Sequence, residues 1–337
     1  MYTAIFKALK GQFPGASLAT VSRLFQFIAY SHRTLEIAEL HHTISVPLNQ
    51  AQTKSDIVPR FTKSLSSLSG SLLKILNDGT VRFIHLSAQE YFIEKSREQQ
   101  TNYCRLLTSK GLAHRNIAAT YLSYLCHTVP HRPLGGSSQT VPSAVIVSTI
   151  YPLLKYTVES WGCYLPRTFK HIPRRQESQA AGDVSWEALA ALLRQFLRAV
   201  GATTLWIKAC FLYGVKPTVP NLPDFKSVIR PLLETERTAL KLFQGSIKDL
   251  QEFDRDLTVL HQSWSYILIH KPNEIWEPSI PAFTKSQFWL STTKARSRGL
   301  LNSPGVSSTT EKDFIITRSQ LSQCGTEMGV VKLFPPW

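Results

Sequence analysis

The chain lacks the signals of a membrane-spanning or disulfide-built protein. In its 337 residues no apolar run approaches the roughly 18 needed to cross a bilayer, and the best, 144–154, is interrupted by Ser, Thr, Tyr and Pro. Its five cysteines, Cys104, Cys126, Cys163, Cys210 and Cys324, have no paired spacing. That argues against a disulfide framework or zinc knuckle and for free, mostly buried thiols in a reducing compartment, so a cytoplasmic location is expected. Residues 1–10 have neither the apolar region nor the small-residue cleavage site of a secretory signal; they alternate like an amphipathic helix with its beginning cut off. The strings G-x-S-x-G, H-E-x-x-H and G-x-G-x-x-G are absent, so no hydrolase elbow, zincin helix or dinucleotide loop is expected. Acidic residues are also scarce: 23 against 38 Lys and Arg, a net charge of +15. Such a balance favours phosphate-rich partners, but the basic residues are spread along the chain and are densest in loop-like stretches, 167–175 and 285–298. A nucleic-acid partner is therefore not the first expectation.

What is present is mostly helical periodicity. Val21, Leu24, Phe25 and Ile28 predict one face of a helix over 17–30. Ile37, Leu40 and Ile44 predict a second, stopped near Pro47, and Phe61, Leu65 and Leu68 a third, ended at Gly70. Two β-prone runs, 72–76 and 81–86, flank an Asp78-Gly79 turn and predict a hairpin. Three helices followed by a hairpin is winged-helix order. Ser87 and Glu90 have the spacing of a capping box, which would start the next helix near Ala88.

Further helices are expected over 103–127 and 151–165, with a Pro/Gly/Ser-rich loop at 130–143 between them. Ser185 is a candidate N-cap for an amphipathic helix that Gly201 would close, and 205–213 could add another. Pro231 suits the first turn of a helix through Phe243. From Ile247 to Ile267 apolar residues recur at steps of three and four, as in a long bundle helix. The fold class is therefore mainly α: an N-terminal winged helix with a small hairpin wing, then helical bundles and a β-prone tail. The expected organisation is a winged-helix domain at 1–100, a helical extension at 101–165, a linker at 166–184, a bundle at 185–270, and an aromatic strap with a β-prone tail at 271–337. The tail contains two strand-like runs, 314–317 and 330–334.

The segment Phe83-Ile84-His85-Leu86-Ser87-Ala88-Gln89-Glu90-Tyr91-Phe92 resembles the F-x-H-L-S-x-Q-E-[FY] block of NACHT-type STAND ATPases, the nucleotide-switched family that includes NOD-like receptors. Residues 23–30 and 33–40 are similar to the start of the same winged helix in fungal members. Residues 113–118, 121–125 and 151–156, with Trp161, resemble the helices that follow it there. The resemblance covers about residues 2–165, and a weaker likeness at 275–280 matches a connector ahead of a repeat domain. It implies that His85 approaches the β-phosphate of ADP held by a P-loop domain. The P-loop string G-x-x-x-x-G-K-[ST] does not occur in this chain, so His85 has that role only where another domain supplies the nucleotide.

The implied function is a non-catalytic regulatory scaffold, not an enzyme and without a cofactor or small-molecule substrate of its own. It would work through a protein partner or a neighbouring NACHT or repeat domain, with no membrane contact. The alternative is a winged-helix nucleic-acid binder using Arg60 and Lys63. On its residues alone, His85 at a strand end also fits a purely structural, locally hydrogen-bonded role. Cys126, His127 and His131 lack a fourth metal ligand at familiar spacing, His41 and His42 read as helix-surface residues, and Trp161, Trp186, Trp206, Trp264, Trp276 and Trp289 read as core or groove anchors.

Overall fold

Apolar residues three and four apart turn the first two helices inwards. α1 (Tyr2–Gln12) buries Phe6 and Leu9, and α2 (Gly15–Tyr30) buries Val21, Leu24 and Phe25. The structure, a computed structural model, describes residues 2–13, 15–98, 106–135, 141–170, 183–220, 222, 234–276, 319–321 and 328–330. After α2 come β1 (Leu35–Glu36), α3 (Ile37–Ser45), α4 (Phe61–Ser69), β2 (Leu73–Ile75) and β3 (Thr80–Phe83). The strands form an antiparallel sheet in the order β1-β3-β2, with Leu35 opposite Val81 and Leu73 opposite Phe83 on the core side. This is the winged-helix order the sequence predicts, with β1 added. Two residues, one of them a glutamate, carry no alternation from which β1 could be read. The hairpin turn works as Asp-Gly turns do: the Asp78 carboxylate accepts the Thr80 N–H at 2.9 Å and its hydroxyl at 2.7 Å, and Gly79 takes φ 78°.

The helix after the wing, α5 (Leu86–Glu98), starts two residues before Ala88. Ser87 is thus inside the helix and not at its N-cap, so the capping box expected with Glu90 does not define the start. Its hydroxyl instead lies 2.8 Å from the Tyr2 phenol on α1, and the helix opens with the Ala88 N–H donating to the His85 carbonyl at 3.1 Å. A tertiary contact has displaced a local one.

α6 (Lys110–Ser123) is buried from Gly111 to Ser123 and continues as a π-helical turn, Tyr124–Thr128. It packs against α2, α8 (Leu154–Lys170) and α9 (Trp186–Arg198). Between them, α7 (Ala144–Ile150) is a short helix that leaves Val145, Ile146 and Ile150 exposed. The first residues of the stretch expected as a linker, 166–170, are helical, because α8 continues through Pro166 to Lys170. Buried Thr168 and Phe169 hold this last turn, the Phe169 ring lying 5.4 Å from Trp186 and 5.1 Å from Phe243. Residues 171–182 lie outside the described residues.

Ser185 caps α9, accepting the Ala188 N–H at 3.1 Å. Gly201 does not close that helix. α9 ends at Arg198, and Gly201 sits in the first turn of α10 (Val200–Leu212), where a Cβ would come within 2.6 Å of His131 Cβ. The glycine serves a close approach, not a helix end. The two helices expected on either side of residue 245 are one, α11 (Glu234–His270), because Phe243, Ile247, Leu250, Phe253, Leu257 and Leu260 form an unbroken buried stripe. Pro231 lies outside the described residues. A 3₁₀ turn, Pro272–Trp276, then buries Ile275.

One hydrophobic core runs from Phe6 to Ile275 within a compact unit spanning residues 1–293. Trp161 and Trp206 are at its centre, edge to face at 5.6 Å. Trp186, Trp264 and Trp276 pack against it, and Trp289 is outside the described residues. In the second unit, 294–337, β4 (Ser319–Leu321) and β5 (Met328–Val330) pair antiparallel. Val330 belongs to the second strand-like run; 314–317 and 331–334 are outside the described residues.

Lys208 on α10 is buried, with Nζ 3.4 Å from the Leu134 carbonyl, which also accepts from Asn273 Nδ2 at 3.3 Å. Burial pushes its pKa down from 10.5 to about 7. Between those values the unfolded chain binds the extra proton, so this residue makes stability rise with pH from about 7 upwards. Cys126, pushed up to about 12 by burial, and the buried Cys210 thiol oppose that trend once unfolded thiols ionise, near pH ~8.5. Thermal unfolding followed by circular dichroism should give a midpoint that climbs from pH 7 to 8.5. Lys208→Met should flatten the climb and raise the pH 7 midpoint by roughly 5 °C.

Candidate functional site

His85 stands in the bend between β3 and α5. Phe83 before it and Phe92 after it point inwards, their rings 6.2 Å apart and Phe92 5.8 Å from Phe25, and residues 84–87, next after Phe83, face outwards. Ile84 is 40% exposed, Leu86 69%, and the His85 ring is exposed. Ile75, also exposed, lies on the neighbouring strand β2. Among the described residues the imidazole makes no hydrogen bond, so a locally bonded structural role has no contact behind it. An exposed imidazole between two exposed aliphatic side chains can bond an incoming acceptor while its neighbours bury apolar surface.

The densest polar cluster lies elsewhere, where the chain leaves α2. The Arg33 guanidinium holds both Glu39 oxygens, at 2.7 and 2.8 Å, donates from Nε to Glu159 at 3.1 Å, and sits 4.5 Å over the Tyr156 ring. Burial alone would lower its pKa, but Glu39 and Glu159 outweigh that and raise it. The neighbouring His32 backbone N–H lies 2.9 Å from the Tyr156 phenol and 2.8 Å from that of Tyr164, and the two phenols are 3.0 Å apart. Glu39 also accepts the Glu36 N–H at 2.9 Å, which helps start α3. A pair of carboxylates could suggest acid–base chemistry. Here one guanidinium engages both, so neither is a free base, and the cluster fastens α3 to α8. Sequence reading misses it because Glu159 is 126 residues from Arg33 and no local pattern links them.

Three other histidines, His41, His42 and His131, are tied into the structure. His41 and His42 are half-buried and not on the helix surface. His41 stacks on Phe61 at 4.8 Å with Nε2 2.7 Å from the Val58 carbonyl, and His42 Nδ1 is 3.3 Å from Gln52 Oε1, with burial lowering its pKa. His131 Nε2 lies 2.9 Å from the Leu125 carbonyl. Among the described residues no group of three or more His, Cys, Asp or Glu side chains is placed to hold a metal ion. A cavity of about 240 Å³ beside α11 is lined by Val219, Pro220, Leu222, Ile247, Leu250, Gln251 and Asp254, a mixed wall with one amide and one carboxylate. No helix among the described residues is long and apolar enough to cross a membrane. No protein-family model, curated protein or solved structure matches the chain.

Glu39 is only 5% exposed, whereas Glu159 is 26% exposed. Arg33→Ala should therefore cost about 3 kcal/mol in urea unfolding, since it strands a buried carboxylate, while Glu159→Gln should cost no more than about 1 kcal/mol.

Proposed function

We propose that the chain is a non-catalytic regulatory scaffold of the NACHT-type STAND kind, acting in the cytoplasm through protein and interdomain contacts. The observation that carries this reading is the outward-facing Ile84-His85-Leu86 edge, which falls within the block that resembles the nucleotide-sensing segment of that family. Two large aliphatic side chains held in water beside a histidine suit a docking edge for another protein domain. In this reading Ile84 and Leu86 pack on a P-loop domain and His85 donates to the diphosphate of the ADP that domain holds. The chain itself catalyses nothing; it converts the nucleotide state of its neighbour into a change of contacts, and a repeat domain beyond the helices would deliver the input. The Arg33 cluster supports the same role, since it holds the winged helix to the helices that would carry the motion.

Sequencing the transcript on both sides of the Met1 codon, and of adjacent genes, is the direct test. A G-x-x-x-x-G-K-[ST] domain encoded there should bind this chain when loaded with ADP. Leu86→Asp should weaken the association at least tenfold, and His85→Ala should speed ADP release about tenfold without changing the thermal midpoint. If no such domain is encoded, or if it binds equally well with Leu86→Asp, the reading fails.

A further inference from the structure

Helix α4 has an unusual composition for its place. Five of its nine residues, Thr62, Ser64, Ser66, Ser67 and Ser69, carry hydroxyls, which are poor helix formers because they compete for backbone partners. Phe61 and Leu65 are buried, while Thr62, Lys63, Ser66 and Ser67 face solvent, with exposed Arg60 just before them. The outward side of the helix thus presents cations and hydroxyls. The sequence has no acidic residue between Asp56 and Asp78.

The hairpin that follows adds to this. Its register sets Lys74 directly opposite Arg82, and facing like charges destabilise a sheet. The turn carboxylate, Asp78, accepts the Thr80 N–H and hydroxyl and also feels the Arg82 charge, so it offsets the repulsion only in part. Helix and hairpin are joined with little slack: the Ser71 N–H donates to the Ser66 carbonyl and the Leu72 N–H to the Ser69 carbonyl, both at 3.1 Å. A phosphate backbone along Lys74 and Arg82 would relieve the repulsion, and one along Arg60 and Lys63 would meet the hydroxyls of α4.

We propose that α4 and the wing dock the sugar–phosphate backbone of duplex DNA without reading its sequence. The absent side chains define the ligand class. α4 and its N-cap have no Asn or Gln to pair with adenine and only Arg60 and Lys63 to reach guanine, so backbone contact dominates over base readout. Phe61 and Phe83 are buried, so neither α4 nor the wing offers the aromatic platform that single strands require. A helix also fits the major groove of B-form DNA, whereas that of duplex RNA is too narrow. The outward face of α4 carries no exposed apolar side chain for insertion into a membrane. The proposal uses different residues from the Ile84-His85-Leu86 edge and does not rest on the scaffold reading.

Fluorescence anisotropy with a 20-bp duplex tests it on the full chain. Binding should fall roughly 100-fold between 50 and 200 mM salt, as expected for about four phosphate contacts, and should change little with duplex sequence. Arg60→Ala with Lys63→Ala, and Lys74→Ala with Arg82→Ala, should each weaken binding at least tenfold and reduce the salt slope by about two. Lys241→Ala with Arg255→Ala removes the same charge from exposed positions on α11 and should change binding less than twofold. The proposal is overturned if the α11 pair weakens binding as much as the others, or if duplex does not bind at 50 mM salt. Tighter binding to single strands or duplex RNA, or retention on phosphatidylserine vesicles in place of DNA, overturns it equally. Thermal midpoints within 3 °C of the parent should show that the variants fold.

Discussion

One arginine fastens the winged helix to α8, a helix downstream of it. Arg33 sits where α2 ends and β1 begins, and its guanidinium joins Glu39 of α3 to Glu159 of α8 while covering the Tyr156 ring. The arrangement is favourable because its parts are complementary: the planar fork matches one carboxylate bidentately, and the aromatic face accepts the remaining positive surface. A lysine could offer the charge but neither the fork nor the plane. The adjoining contact from the His32 N–H to two phenols satisfies a backbone donor that the chain reversal would otherwise strand.

The same economy of charge appears in the interior around α6. Arg23 is half-buried, meets no carboxylate among the described residues, and donates to the Thr43 and Val46 carbonyls, at the negative end of α3, and to the Thr120 hydroxyl. Its pKa is accordingly lowered by burial, to about 10, which still leaves it charged at neutral pH. Arg115 stacks 4.7 Å over Trp186 and donates to the Val184 carbonyl, while Asn116 bonds Gln26 and Asp183 and accepts the Val184 N–H. These contacts tie α6 to α2 and to the approach to α9. Because α6 is buried on all sides, its polar side chains have to find partners within the protein, and the partners fix where neighbouring segments lie.

The parts of the fold legible in the sequence are those governed by neighbours along the chain. The apolar spacing of α2, α3 and α4, the Asp78-Gly79 turn and the Ser185 cap each depend on a few adjacent residues. Expectations fail where distant residues intervene. Tyr2 engages Ser87 and α5 starts early; Phe243 and Trp186 hold Phe169 and α8 passes through Pro166; His131 occupies the space beside Gly201 and the glycine falls inside α10. For the candidate site the division is similar. The position of His85 between strand and helix is readable, but its exposure depends on the bend after Phe83. The Arg33 cluster has no local signature at all.

The joint between α3 and α8 also limits how the molecule can respond to a ligand. A ligand shifts a conformational equilibrium only by its different affinity for the two states, and coupling between sites is typically about 1–3 kcal/mol. Rotating the winged helix away from α8 would leave the Arg33–Glu39 pair intact but would separate Arg33 from Glu159 and from the Tyr156 ring, and would leave the His32 N–H and two phenols without each other. Losing the His32 hydrogen bond costs about 1–3 kcal/mol, and the Glu159 pair and the ring contact about 1 kcal/mol each, together at or above what such a coupling supplies. A domain docked on Ile84 and Leu86 would therefore move α2 to α4, the sheet and α8 together, and any hinge would have to lie outside that block. A partner at the wing would thus act by displacing a stiff body, with Arg33 as the fastening.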